Sequence, residues 1–467
     1  MKIPDRIVGV LDLDGSRFPF ELNKDTFELR LYNTTESDGF ELLADGVLSY
    51  SSNTKVHRWV DKITIKGRTS EGYQVYFGTR NNPDIYNGYR TYNVAWYYLT
   101  NDDSIKINEM HFSGREINCF YNPTRAFQST VSYKHDDRTS VESMSVQTTN
   151  NEDLNCGHFK RNNVRTEIYC SAHAKLSFYS ETPFDSYSRL KLKFSNSIDL
   201  DAIVMHAMNV QSLLKYISYR TNINFTDIST YISIGGGKIQ NCGKLVFKRS
   251  LHEERNDKAK RRIIKAENLN VYTAKLLRAI EREEIPHGLF CNSIEDMSNY
   301  TTSRIIMILA AFESEYRNAY GQDTKRSEIY KKTKENVVAN LKIYAASLSG
   351  KQKKYANGFA KGILNSDSSY GDNLLYAFDD CKTIIEPFVK KHFKGSYKRI
   401  TEDVSANINE LRNGIAHSRL DLRIKARHLA EIKLVEEMFY VVRLKKMGIK
   451  DEAIQKSIND LFQENLF

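Results

Sequence analysis

The chain has 467 residues, 40% of them hydrophobic and 27% charged, and a formal net charge of +10. At roughly 100–200 residues per domain this predicts two or three domains with ample core, and the composition excludes a disordered, collagen-like or disulfide-scaffold protein. The basic balance favours an anionic partner such as nucleic acid, although lysines and arginines are interleaved with acids and no long basic tail is present.

Six cysteines, Cys119, Cys156, Cys170, Cys242, Cys291 and Cys381, show no paired spacing and read as reduced thiols of a cytoplasmic protein. Met1 to Asp14 lacks the apolar run of a signal peptide. The longest apolar run, Ile305 to Phe312, is far too short to span a bilayer. The expectation is a chain with no membrane contact.

Residues 1 to about 197 read as strands. Val8 to Leu11 and Phe18 to Leu22 flank Asp14-Gly15, a hairpin signal because both turn positions need positive φ. Lys62 to Lys66 alternates with period two and stops at Gly67. Tyr73 to Phe77 stops at Gly78. Asn93 to Leu99 looks buried on both faces. Thr166 to Cys170, Lys175 to Phe178 and Leu190 to Phe194 continue the pattern. Many short strands separated by turn residues predict a sandwich or barrel.

From Asp199 the period changes. Ile203, Ala207, Val210, Leu214 and Ile217 mark a helix near 199–218, after which Ile232 to Ile234 and Leu245 to Phe247 return to strand across Gly235-Gly236-Gly237. A charged segment, Lys248 to Arg262, merges into a helical stretch. Beyond about residue 295 the pattern is helical throughout. Ile305, Leu309, Phe312 and Tyr316 define one helix. Val337, Leu341, Tyr344 and Leu348 define a second, and Leu374 to Val389 a third. Glu402 to His417 is a fourth. Leu429, Ile432, Phe439 and Val442 mark a fifth, and Ile454, Ile458 and Leu461 a sixth with Asp451 as N-cap. The sequence thus predicts an α+β protein. A β-rich, sandwich-like domain spans 1–250, a helical connector 251–294, and an all-α bundle 295–467.

Three motifs read as structure. Gly235-Gly236-Gly237-Lys238 is followed by Ile and lacks the upstream Gly of a phosphate loop, so it is a strand connection. Glu313 and Glu315 are two residues apart, do not share a helix face, and read as solvent-facing or structural. Cys156, His158, Cys170 and His173 offer zinc-type ligands within eighteen residues, but the spacing is unusual and a buried thiol fits the strand pattern.

The remaining candidate is Glu410-Leu411-Arg412-Asn413-Gly414-Ile415-Ala416-His417. Val404, Ile408, Leu411 and Ile415 form an apolar stripe, and Asn413 and His417, four apart, share the face nearly opposite. A His exchanges protons near neutral pH and an Arg presents a planar fork for phosphate. Together they suffice for metal-free RNA cleavage, with the RNA's own 2′-OH as nucleophile and the Arg stabilising charge on the transition state. One His does not readily serve as both acid and base, but two copies across a dimer axis do. The basic segments Lys351 to Lys354 and Lys390 to Arg399 offer electrostatic guidance for RNA phosphates, or plain solvated charge.

Arg412-Asn413-Gly414-Ile415-Ala416-His417 has the form R-N-x-x-x-H late in a helix bundle, and it resembles the HEPN superfamily of dimeric, metal-independent ribonucleases. The likeness covers about residues 295–467. The layout of a β-rich domain before the bundle is similar to the ApeA family of bacterial anti-phage HEPN proteins. The resemblance implies that Arg412 and His417 are catalytic and that Asn413 supports their geometry. It implies RNA as substrate, no metal or other cofactor, and a homodimer with a composite site. It further implies abortive infection as the setting, with a phage-derived trigger sensed by the N-terminal domain. The alternative is a non-catalytic RNA-binding or dimerisation module, and a third reading is a metalloprotein using the Cys/His group.

Overall fold

The computed structural model describes residues 3–466 except 5, 14–15, 33–61, 81–82, 87–88, 103–104, 135–136, 150–151, 177–183, 251, 322–327, 365–368 and 417–423. Among the readings above, Asp14-Gly15, Ser177-Phe178 and His417 lie outside the described residues. The chain divides into two compact units. The first is Met1–Arg282 with Asn292–Ile294, and the second is Glu283–Cys291 with Glu295–Phe467. The protein is therefore mixed α+β, with a β-rich N-terminal region followed by a helical one.

The strands of the first unit are β1 (Ile7–Leu13), β2 (Ser16–Asn23), β3 (Glu28–Tyr32), β4 (Lys62–Thr69), β5 (Gln74–Arg80), β6 (Asp84–Tyr86), β7 (Tyr89–Thr100), β8 (Ile107–Ser113), β9 (Phe127–Lys134), β10 (Asp137–Thr148), β11 (Leu154–Arg161), β12 (Val164–Leu176), β13 (Phe184–Ile198), β14 (Asp227–Ser233) and β15 (Ile239–Phe247). Among the described residues β9 and β10 pair only with each other, and the rest form one sheet. The expected sandwich is replaced by a barrel plus a sheet, and β7 is the reason. Its first residues pair with β3, while its last pair with β15 and also with β5. The ring β7–β3–β2–β1–β4–β5 closes on β7, and the sheet continues from β7 through β15, β14, β8, β13 and β12 to β11.

The closed ring has its own core. Phe18, Phe20 and Leu22 alternate inward along β2 and meet Leu29, Leu31, Ile65, Val75, Phe77 and Leu99. This period-two burial follows from the pleat. β1 and β2 form the hairpin expected from the sequence, with Leu13 opposite Ser16. The helix Leu200–Ser218 buries Ile203, Ala207, Val210, Leu214 and Ile217, as its periodicity predicts, and Asp199 caps it by accepting from the Ala202 N–H at 3.0 Å.

The second unit is built of helices Thr302–Tyr320, Glu328–Ala346, Gly350–Leu364, Tyr370–Asp380, Lys382–His392, Tyr397–Ala416, Ala426–Met447 and Asp451–Phe462. None among the described residues is long and apolar enough to cross a membrane. Ala426–Met447 is the centre. From Glu431 to Leu444 nearly every residue is buried, so the helix is enclosed on all sides rather than along one stripe. Two of its buried charges show how they are matched from other elements. Glu436 accepts from Arg304 at 2.7 Å and from the Tyr300 hydroxyl at 2.7 Å. Arg443 pairs with Glu315 at 2.7 Å, and burial pushes the Glu315 carboxyl up to about 7 against the pull of Arg443.

Two helices replace the single one expected over Leu374 to Val389, because the chain turns at Cys381. Within the second, Pro387 has no N–H to give the Thr383 carbonyl. The Gln455 side chain donates to that carbonyl at 2.9 Å instead, which explains how the proline is tolerated inside a helix. Asp451 occupies the first turn of the last helix, and Lys450 takes the cap position expected for it.

Candidate functional site

The helix Tyr397–Ala416 is anchored by the stripe its sequence predicts. Val404 and Ile408 are fully buried and Leu411 nearly so, while Ile415 is half-buried. Burying three such side chains contributes about 1.5–3 kcal/mol each. The neighbouring helix Tyr370–Asp380 comes very close at Gly371. A Cβ there would sit 2.8 Å from the Ser405 carbonyl oxygen and 3.2 Å from the Asn409 Cβ, so only glycine permits the approach. The Asn409 side-chain oxygen accepts from the Gly371 N–H at 3.3 Å, locking the two helices in register.

This packing fixes Arg412. Its guanidinium lies 3.2 Å from the Glu313 carboxylate on Thr302–Tyr320 and 5.9 Å from the centre of the Tyr370 ring. The side chain is still 42% exposed, so one side of the fork faces solvent. Glu313 also accepts from Arg317 at 2.7 Å, which brings a second, more exposed guanidinium to the same carboxylate. Tyr370 is buried beneath them, and burial together with Glu313 pushes its hydroxyl well above its ordinary value. Asn413 is exposed and contacts neither Arg412 nor Glu313 through a described hydrogen bond. Gly414 is buried. His417 follows the helix end and lies outside the described residues. The sequence reading singled out Arg412 without naming the side chains that pack against it. Glu313, read as solvent-facing or structural, is the residue that holds it.

The same helix is tied to the central one on its other side. Asn407 donates to the buried Glu431 at 2.7 Å, and Arg427 donates to the same carboxylate at 2.9 Å.

Potential metal ligands gather elsewhere than expected. Cys156 and Cys170 meet at 3.6 Å between their sulfurs in a buried position. His158 points to solvent on β11, and His173 is held by the Ser171 hydroxyl at 2.9 Å. The four residues therefore do not converge. A bulge is responsible: Gly157, at φ +94°, shifts the pairing between Asn155 and His158 and lets the helix Tyr272–Glu281 approach so closely that a Cβ at this position would lie 2.3 Å from the Val271 oxygen.

Among the described residues the cluster with metal-ligand spacing is His392, Glu437 and Glu464, with donor atoms within 4.8 Å of one another. Glu437 and Glu464 are fully buried, and His392 lies 3.8 Å and 3.3 Å from them. Two ammonium groups already sit on Glu464, Lys391 at 2.7 Å and Lys433. A divalent cation would have to displace them from Glu464, while both Glu437 oxygens and the His392 Nε2 are buried without a hydrogen-bond partner among the described residues.

The cluster's charge states follow from that geometry. Glu437 first, and then Glu464, push His392 up to about 9 despite burial. Burial alone would raise Glu464, but His392, Lys391 and Lys433 outweigh it and hold the carboxyl well below the usual range. Burial pushes Glu437 up to about 7. A raised histidine contributes stability that is fully present below its unfolded value near 6.5 and is lost as pH rises through about 9. The stability gap between the native chain and His392→Gln will therefore shrink by on the order of 3 kcal/mol between pH 6 and pH 10, measured by denaturant unfolding at each pH. A gap constant with pH would mean that His392 is uncharged in the fold.

No protein-family model, curated protein or solved structure matches the chain.

Proposed function

We propose that the protein is a metal-independent endoribonuclease of the HEPN type, acting in a bacterial anti-phage, abortive-infection system. Arg412 and His417 are its catalytic residues and Asn413 supports them. The observation that carries the reading is Arg412. It opens an R-N-x-x-x-H segment in a helical unit, on the flank of the stripe Val404, Ile408 and Leu411 that anchors its helix, with its guanidinium half open to solvent.

In this mechanism a substrate phosphate takes the open side of the Arg412 fork. Glu313 holds the guanidinium in place before substrate arrives, and Arg317 adds positive potential beside it. His417 takes the 2′-OH proton of the RNA, and its counterpart in a second copy returns one to the leaving 5′ oxygen. The 2′ oxygen attacks the adjacent phosphorus, the P–O5′ bond breaks, and a 2′,3′-cyclic phosphate forms. The N-terminal domain senses the trigger or restrains the nuclease.

The test is cleavage of total RNA by purified protein in the presence of EDTA, with growth arrest on expression as a second readout. Chelator-resistant cleavage with cyclic-phosphate ends is expected. Cleavage abolished by EDTA, or absence of both cleavage and growth arrest, would overturn the reading. The alternative, a non-catalytic RNA-binding or dimerisation module, draws on the lysine-rich helices 328–364 and predicts RNA binding without cleavage.

A further inference from the structure

We propose that the helical hairpin Glu328–Ala346 and Gly350–Leu364 is a platform for single-stranded RNA. The inference rests on the ribonuclease reading and names the element that grips the substrate.

Three observations converge. The two helices pack on each other, and neither packs extensively against any other element among the described residues. The inner seam is narrow, with Val338, Ala345, Ala356 and Ala360 buried. Large side chains consequently face outward: Ile343 is 70% exposed, Tyr355 and Phe359 64% each, and Tyr344 59%. Four large apolar side chains this exposed on one hairpin mark an interaction surface. The third observation is charge. Residues 328–364 carry eight lysines against two glutamates, a net +6 within a chain of net +10.

On Gly350–Leu364 the two chemistries share a face. Stepping 100° per residue from Lys351 puts Tyr355 and Gly362 within about 40° of it, with Lys354 and Lys361 on one flank and Phe359 on the other. The buried Ala356 and Ala360 lie opposite. Flat rings set among ammonium groups are what a flexible polyanion with stackable bases requires.

The same features argue against other occupants. Two copies meeting through this face would set like charges against each other across an isologous contact, and lysine is depleted from protein interfaces. A duplex offers phosphates but keeps its base faces stacked, leaving the rings idle.

The test measures fluorescence anisotropy of labelled oligouridine of about 20 nucleotides with the full-length protein. An Arg412→Ala background keeps the oligomer intact. One variant combines Lys351→Glu with Lys354→Glu, another Tyr355→Ala with Phe359→Ala. All four positions are solvent-facing, and circular dichroism verifies the fold. Each pair is expected to weaken binding at least tenfold. The lysine pair will also flatten the plot of log affinity against log salt by about 1.4, two phosphates at about 0.7 each, whereas the aromatic pair will leave that slope unchanged. Unchanged affinity in both variants overturns the proposal. So does equal affinity for duplex RNA, or a loss of self-association by light scattering in place of RNA affinity. Cleavage by the Arg412-intact protein is scored separately. Hairpin variants that cleave and bind normally sink the platform alone, and binding lost in the variants with neither cleavage nor growth arrest from the parent sinks the ribonuclease reading alone.

Discussion

Arg412→Ala will lower RNA cleavage by a factor on the order of 10²–10³ while leaving the fold intact. Its fork is the positive group fixed where a phosphate can reach it, and removing one preorganised donor from a developing oxyanion typically costs that much. The fold should survive because the buried Val404, Ile408 and Leu411 hold the helix without it. Glu313 keeps Arg317 as a partner when Arg412 is gone. Arg412→Lys restores charge without the planar fork and should recover only part of the rate. On the proposed mechanism His417 carries the proton, and His417→Ala should lose roughly 10²–10⁴. Glu313→Gln acts in the other direction on binding. The carboxylate competes with phosphate for Arg412, so its removal should tighten RNA association while loosening the orientation of the guanidinium. Initial rates on a defined single-stranded substrate, with circular dichroism of each variant, decide the matter. Cleavage by Arg412→Ala and His417→Ala at the parent rate would end the assignment.

Local patterns were legible and long-range partners were not. The stripe Val404, Ile408 and Leu411 could be read because one helix face meets one core. The same logic misplaced Val337 and Tyr344, read as core and in fact 40% and 59% exposed. Their helix packs on a single neighbour along a strip one residue wide, through Val338 and Ala345, so the apolar side chains beside that strip stay outside. Periodicity identifies which residues share a face but not how wide a partner covers it. The central helix shows the opposite limit. Its stripe Leu429, Ile432, Phe439 and Val442 marks the helix but says nothing of Glu431, Glu436, Glu437 and Arg443, which are buried against Arg427, Arg304, His392 and Glu315. All but Arg427 come from distant parts of the chain. Barrel closure was equally hidden, since the alternation of β5 and β7 gives no sign that they pair. At the candidate site, the composition of the Arg412 segment was readable, but Glu313, 99 residues away, was not.

Glu116→Gln should be the most damaging single change in the β-rich unit, at about 3–5 kcal/mol. Arg220 follows directly on Tyr219, which ends the helix Leu200–Ser218 in a left-handed turn at φ 55°, and its side chain is completely buried. The Glu116 carboxylate, 4% exposed, accepts from it at 2.8 Å. The guanidinium also donates to the Asn222 side chain at 3.0 Å. Asn222 in turn donates to Glu254 at 2.9 Å, and Glu254 accepts from the Ile294 N–H at 2.7 Å. This buried chain of polar groups joins the short helix Arg115–Phe120, the end of the long helix and the segment Asn292–Ile294 of one unit. Replacing the carboxylate by an amide leaves a cation with no counter-charge where water does not reach, and it loosens every later link. At roughly 2–4 °C per kcal/mol, the first melting transition should fall by about 10 °C. Limited proteolysis with mass spectrometry should then find new cuts within residues 1–282 before any in the helical unit. Removing both charges, Glu116→Leu with Arg220→Met, should recover a large part of the loss, because the unpaired cation and not the missing attraction is the main penalty. A Glu116→Gln protein that melts within a degree of the parent would show that Arg220 finds its counter-charge elsewhere.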